Sequence, residues 1–117
     1  MRHDEKKIVK IIEELTVYFF ALGANQIRSE INRDGKDTIL LFQANYNPEY
    51  VANLYYLEEY LNCPKNDGIE DVYWELAGSG DPGEASQLLL VGMMIDKAEI
   101  KVSDGFVYLK MYKRVRE

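Results

Sequence analysis

The beginning of the chain carries a stripe of apolar residues at helical spacing, at Ile8, Ile11, Ile12, Leu15, Phe19 and Leu22. This spacing puts them on one face of an α-helix, and Gly23 stands where a helix commonly ends. Val17 and Phe20 lie off the stripe. The second half of the helix is therefore expected to be apolar on more than one side and central in the fold.

Two strands are predicted after this helix. Ile27 and Ile31 alternate with polar residues over residues 26–32, and an Asp34-Gly35 pair then gives the strongest short signal of a hairpin. The return strand, residues 38–44, is apolar at nearly every position. Such a run predicts an inner strand that is covered on both faces, or nearly so.

Helical signals return after the hairpin. Residues 47–49 supply an asparagine cap, a proline at the first helical position and an acid in the first turn. The apolar stripe of this second helix runs through Tyr50, Leu54, Leu57 and Leu61. A short third helix is predicted over residues 69–77, where Ile69, Val72, Tyr73 and Leu76 share one face.

The last third of the chain begins with a glycine-rich loop at Gly78, Gly80 and Gly83, which leads into an apolar segment at residues 88–95. Two alternating strands follow and meet at an Asp104-Gly105 turn. The order of elements predicts one α/β (α+β) domain over residues 1–117. We expect a two-layer sandwich with a mixed β-sheet and helices packed on one of its faces.

Charge is distributed unevenly along the 117 residues, whose net charge is −6. Residues 44–90 hold nine acids and one base, a net charge of −8, whereas the remainder holds eleven acids and thirteen bases, a net charge of +2. An acidic lobe repels phosphate backbones, so nucleic acid is not expected as a partner. No apolar run approaches the roughly 18 residues that span a bilayer, so no membrane partner is expected either.

Few residues offer catalytic or metal-binding chemistry. His3 is the only histidine and Cys63 the only cysteine, so no histidine-based metal site or internal disulfide is expected. A single cysteine favours a reducing, cytoplasmic location. Glu13 and Glu14 are neighbours on the first helix, so they point in different directions, and Glu13 is expected to face solvent.

Aromatic residues crowd residues 46–74, with seven in this segment: Tyr46, Tyr50, Tyr55, Tyr56, Tyr60, Tyr73 and Trp74. They are typical of an amphipathic layer with a hydrated rim. They are also typical of a partner-binding surface, because Tyr and Trp bring contact area at little entropic cost. The sequence leaves both interpretations open.

The order of elements resembles the ATP-binding domain shared by histidine kinases and anti-sigma-factor serine kinases, the GHKL family. The likeness lies in the Glu-Glu-Leu of residues 13–15, the Asp-Gly hairpin, the glycine-rich loop and residues 88–114, which look like the last helix and closing hairpin of that family. It covers nearly the whole chain in order and implies a histidine kinase-like ATPase fold.

The resemblance also implies where a nucleotide site would lie. Glu14 matches the family's helical acid, and Tyr18 stands where the family has its magnesium-coordinating asparagine. Asn45 lies in the stretch that would read adenine, which here lacks the family's Asp and Gly. Gly78, Gly80 and Gly83 would approach the phosphates.

Three functions follow as hypotheses. The first is a bacterial-type, cytoplasmic regulatory or adaptor domain that has lost nucleotide chemistry, needs no cofactor and binds a protein partner, or a second copy, through Tyr55, Tyr56, Tyr73 and Trp74. The alternative is an anti-sigma-type serine or histidine kinase-like domain that binds Mg-ATP in a divergent site, with Glu14 as its acid. The third is a sensor that binds a small ligand between the glycine-rich loop and the first helix.

Overall fold

The computed structural model describes residues 3–62 and 84–114 of the chain. Helix α1 (His3–Ala21) is followed by strands β1 (Ile27–Asp34) and β2 (Asp37–Asn45). A 3₁₀ helix (Pro48–Leu54) then leads into α2 (Tyr55–Leu61), and the chain closes with α3 (Glu84–Met94), β3 (Lys97–Ser103) and β4 (Phe106–Arg114). The predicted helix over residues 69–77, the glycine-rich loop and Cys63 lie outside the described residues.

The four strands form one antiparallel sheet in the order β1-β2-β4-β3. Both hairpins turn at the predicted Asp-Gly pairs, where Gly35 and Gly105 adopt positive φ angles of 63° and 80°. The α+β prediction is confirmed, but the mixed sheet is wrong. The two hairpins meet through their inner strands β2 and β4, which run in opposite directions, so every described pairing is antiparallel.

The core lies between one face of this sheet and the helices. Alternate residues of β2 and β4 turn inward and are buried, and they meet the inward residues of α1, α2 and α3. The buried set includes Leu40, Phe42, Ala44, Val107, Leu109 and Met111 from the sheet. Among the described residues, no helix is both long and apolar enough to cross a membrane.

Helix α1 is not central, contrary to the sequence prediction. Its inward face carries the predicted stripe, but Phe20 is 61% exposed and Val17 is also exposed. The physical reason is that Tyr18 takes the inward position between them, buried, with its hydroxyl donating a hydrogen bond to the Asn53 carbonyl at 3.1 Å. Tyr18 therefore completes the inward face of α1, and Val17 and Phe20, which lie off the stripe, point toward solvent.

The second helix begins as predicted but not as an α-helix. Asn47 caps it, since its side chain accepts a hydrogen bond from the Glu49 N–H at 3.0 Å. Residues Pro48–Leu54 form 3₁₀ turns, and Tyr50 has non-helical backbone angles and an exposed side chain. The predicted stripe is therefore buried only at Leu54, Leu57 and Leu61.

Strand β2 is an inner strand, as predicted, but it is covered on one face only. Its exposure alternates along the strand, with Leu40 and Phe42 buried and Leu41 between them 36% exposed. All three described helices pack on the same side of the sheet, and the opposite side is left uncovered by them. This uncovered side is the feature from which the candidate site is built.

Candidate functional site

The outer face of the sheet is the side that points away from the helices. Because side chains alternate along a strand, and because partners in antiparallel strands share a face, the register defines its members. They form cross-strand rows. One row is Arg28, Gln43, Tyr108 and Lys101, and the next is Glu30, Leu41, Lys110 and Glu99.

These two rows line a concavity of about 810 Å³ on the outer face. With strands about 4.8 Å apart, the rows extend roughly 14 Å from β1 to β3. Leu41 and Tyr108 lie on the two inner strands, at the middle of the rows, and are 36% and 39% exposed. The concavity therefore has an apolar and aromatic centre with charged side chains along both edges.

Charge on the outer face differs from that of the whole chain. The side chains that line the concavity include three cations, Arg28, Lys101 and Lys110, and two acids, Glu30 and Glu99. Their net charge of +1 contrasts with the net charge of −6 for the chain. The face thus has both signs of charge, with a local excess of cations.

Contacts within the face engage some of these charges. Glu99 accepts a hydrogen bond from the Tyr112 hydroxyl at 3.2 Å and lies 3.5 Å from the Lys97 ammonium. The Lys110 ammonium lies 5.5 Å from the centre of the Tyr112 ring, a cation–π arrangement. Among the described residues, Lys101 makes no ion pair, so its ammonium is available to a carboxylate from outside.

The described residues of the expected nucleotide site take part in contacts of the fold. Glu14, whose side chain is 13% exposed, forms an ion pair with Lys10 at 2.9 Å. Tyr18 is buried in the core. Asn45 accepts hydrogen bonds from the N–H groups of Asn25 and Gln26 at 2.9 and 3.0 Å, which fixes the link between α1 and β1.

The structure describes only some of the remaining residues that were predicted for a site. Glu13 faces solvent as expected, with its side chain 59% exposed. Gly78, Gly80 and Gly83 lie outside the described residues. In the expected partner surface, Tyr55 is 78% exposed, the side chain of Tyr56 lies outside the described part of the chain, and so do Tyr73 and Trp74. Among the described residues, no cluster of His, Cys, Asp and Glu could hold a metal ion.

Sequence reasoning missed the outer face, although a signal for it was present. Phe106, Tyr108 and Lys110 alternate with the buried residues of β4, and Leu41 is apolar at an outward position of β2. Outward positions are normally assigned to solvent. The run of apolar residues in β2 predicts cover on both faces, whereas the strand is covered on one.

No family model matches the chain, and no curated protein matches it.

Proposed function

We propose that the chain is a non-catalytic protein-binding module, a regulatory or adaptor domain that binds a partner segment on the outer face of its sheet. The observation that carries this proposal is the exposure of Leu41 and Tyr108 at diagonal positions of the two inner strands, in adjacent rows at the centre of a charged concavity. Inner strands are normally the best-covered part of a sheet that has a packed layer on each side. Apolar and tyrosine side chains that are exposed together, with a polar rim, are typical of interaction surfaces.

The charges on this face favour a protein partner over a nucleic acid. Glu30 and Glu99 lie in the same row as Lys110 and next to the row that carries Arg28 and Lys101, and the chain as a whole is strongly acidic. A polyanion would be repelled by both. A protein segment can instead match the mixture, with an aliphatic or aromatic side chain against Leu41 and Tyr108 and a carboxylate near Lys101.

The contacts of the nucleotide-site residues support a non-catalytic role. Glu14 pairs with Lys10, Tyr18 is buried and Asn45 holds the α1–β1 link. Each side chain therefore has a structural partner in the fold. Binding through the outer face needs no cofactor and uses none of these three residues.

Selection of short random peptides displayed on phage tests the proposal, with the immobilised protein as target. We expect enriched peptides to combine an acidic residue with an aromatic or aliphatic one. Tyr108→Ala should weaken binding of a synthetic selected peptide by at least about tenfold, because it removes the central aromatic contact. As a separate variant, Lys101→Glu should weaken the binding of acidic peptides more than that of less acidic ones. Fluorescence anisotropy measures both affinities.

Tyr55→Ala is the matched control, since it removes the same side chain from an exposed site on the helical side. It should leave peptide affinity within about twofold. Loss of binding in Tyr55→Ala but not in Tyr108→Ala would move the partner to the helical surface and contradict the assignment. Salt-sensitive binding of a labelled uridine oligonucleotide, together with failure to enrich any peptide, would contradict the protein-binding role itself.

A further inference from the structure

The two edge strands of the sheet, β1 and β3, differ in whether the N–H and C=O groups on their outer edge have hydrogen-bond partners among the described residues. On β3, the side chain of Asn62 accepts a hydrogen bond from the Ala98 N–H at 2.9 Å and donates one to the Ala98 carbonyl at 3.0 Å. At Ala98, a side-chain amide thus occupies the place that another strand would take. Such cover is one way in which proteins prevent a sheet edge from pairing with another chain.

Strand β1 has no such cover from the described residues. It is eight residues long, pairs with β2 in one unbroken register and has seven exposed residues. It contains no proline or bulge, two devices that commonly protect an edge, and the charged side chains at its centre, Arg28 and Glu30, have opposite signs. A long, regular and uncovered edge strand is a template for pairing with a further strand.

The hydrogen-bond alternation identifies the backbone groups that point outward from β1. The Gln26 carbonyl accepts from the Asn45 N–H at 3.2 Å, so even-numbered residues direct their backbone groups toward β2. Ile27, Ser29 and Ile31 consequently direct their N–H and C=O groups to the free edge. These are the groups that an added strand would bind.

The sequence of this edge is self-complementary. Residues 27–31 read Ile-Arg-Ser-Glu-Ile, so an antiparallel copy centred on Ser29 places Arg28 opposite Glu30 of the partner subunit. The same register places Ile27 opposite the partner's Ile31. The opposed residues with outward backbone groups are all odd-numbered, so each such pair can exchange two hydrogen bonds.

Shifted registers fit this edge less well. Centring the pair on Glu30 would place two carboxylates directly opposite each other and leave Arg28 against an asparagine. Centring it on Ile31 would pair Arg28 with the partner's Asp34, but it would carry Ile27 beyond the strand, opposite a glycine of the turn. Only the register centred on Ser29 matches both the charges and the apolar residues.

We propose that two copies of the chain associate through β1, antiparallel, about a two-fold axis at Ser29, and join their sheets into one continuous sheet. The axis is perpendicular to the sheet, so the helices of both copies lie on one side and both outer faces on the other. Ile31, 46% exposed in the single chain, becomes covered by the partner's Ile27. At the other edge, Asn62 occupies the backbone groups of Ala98, which hinders the same kind of pairing at that end of β3. This proposal is independent of the protein-binding role.

Sedimentation velocity over a range of protein concentrations tests the proposal. Five paired residues bury less than the ~1,200 Å² of a stable interface, so a concentration-dependent monomer–dimer equilibrium is expected. Ser29→Pro should weaken dimerisation by at least about 100-fold. Its N–H points to the free edge, so proline there removes no hydrogen bond between β1 and β2 and the fold is retained.

Charge reversal provides the sharper test. Arg28→Glu and Glu30→Arg should each weaken the dimer by about tenfold, because like charges then lie opposite each other twice. The double variant Arg28→Glu/Glu30→Arg should restore the wild-type dissociation constant. Lys101→Glu, on the outer face but away from β1, should leave it unchanged, and circular dichroism checks that each variant is folded.

A chain that stays monomeric up to about 1 mM would overturn the proposal, because that concentration exceeds any specific dissociation constant expected here. A dimer that persists in Ser29→Pro, or a double variant that fails to regain dimerisation while folded, would also overturn it. Peptide binding by a strictly monomeric wild type would reject the dimer and leave the proposed function intact.

Discussion

Replacing Phe19 with alanine is expected to lower the free energy of unfolding by about 3–5 kcal/mol, the largest effect of any single substitution considered. Phe19 is fully buried, and its ring centre lies 5.3 Å from that of Tyr18 and 5.5 Å from that of Phe42. It therefore joins α1 to β2. Its removal loses the transfer free energy of the ring and leaves a cavity that the surrounding side chains cannot fill. Urea denaturation followed by circular dichroism measures the change.

Phe20→Ala is the matched control for this prediction. The same ring is removed from the next position of the same helix, but that side chain is largely exposed. Its loss should change the free energy of unfolding by less than about 1 kcal/mol. Equal losses for the two variants would mean that α1 does not present the face described.

Substitution of Gly92 is expected to be the second most damaging change. A Cβ atom at this position of α3 would lie 2.5 Å from the Tyr60 carbonyl oxygen and 3.3 Å from the Leu61 Cα of α2. Both are backbone atoms, so the two helices would have to separate. Gly92→Ala should destabilise the protein by about 1–2 kcal/mol and Gly92→Val by about 3 kcal/mol, measured as shifts in Tm.

The predicted loss of stability for Gly92→Ala is opposite in sign to the usual effect of this substitution in a helix. In an ordinary helix interior, glycine to alanine stabilises by about 1 kcal/mol, because alanine has the higher helix propensity. A rise in Tm for Gly92→Ala would therefore show that α2 and α3 do not approach as closely as described. Met93→Ala, at the exposed neighbouring position, should shift Tm by no more than a few degrees.

Local signals in the sequence were sufficient for most elements but not for their arrangement. The periodicity of α1 and the Asp-Gly turns act over a few residues, so both were predicted correctly. The pairing of β2 with β4 joins residues as distant as Asp37 and Arg114. Whether β2 and β4 pair parallel or antiparallel depends on the end of the sheet at which the chain re-enters it after α3. No local sequence pattern predicts that position.

The central position expected for the second half of α1 was wrong for a similar reason. A hydropathy pattern ranks Val17 and Phe20 above Tyr18 for burial, because tyrosine carries a hydroxyl. The cost of burying that hydroxyl is removed by the Asn53 carbonyl, which lies 35 positions along the chain. Partner groups at such distances in sequence cannot be inferred from the helix alone.

The candidate site could not be predicted from the sequence, because none of its residues is unusual when considered alone. The sequence pattern places Leu41 in a buried strand, and it places Tyr108 and Lys101 at alternating positions of a hairpin. Their significance arises only from the register, which places all three on a face that the helices leave uncovered, with Tyr108 opposite Lys101 and Leu41 in the adjacent row. The aromatic residues between 46 and 74 drew attention to the helical side instead.

Amide NMR shift mapping tests the central claim most directly, by titrating isotope-labelled protein with a peptide obtained by selection against the wild type. If the outer face binds the partner, the largest shifts will come from the strand residues around Leu41, Tyr108 and Lys101, while residues of the 3₁₀ helix and α2 remain unchanged. Shifts confined to Tyr50, Tyr55 and their neighbours would contradict the claim, because the peptide would then bind the helical side.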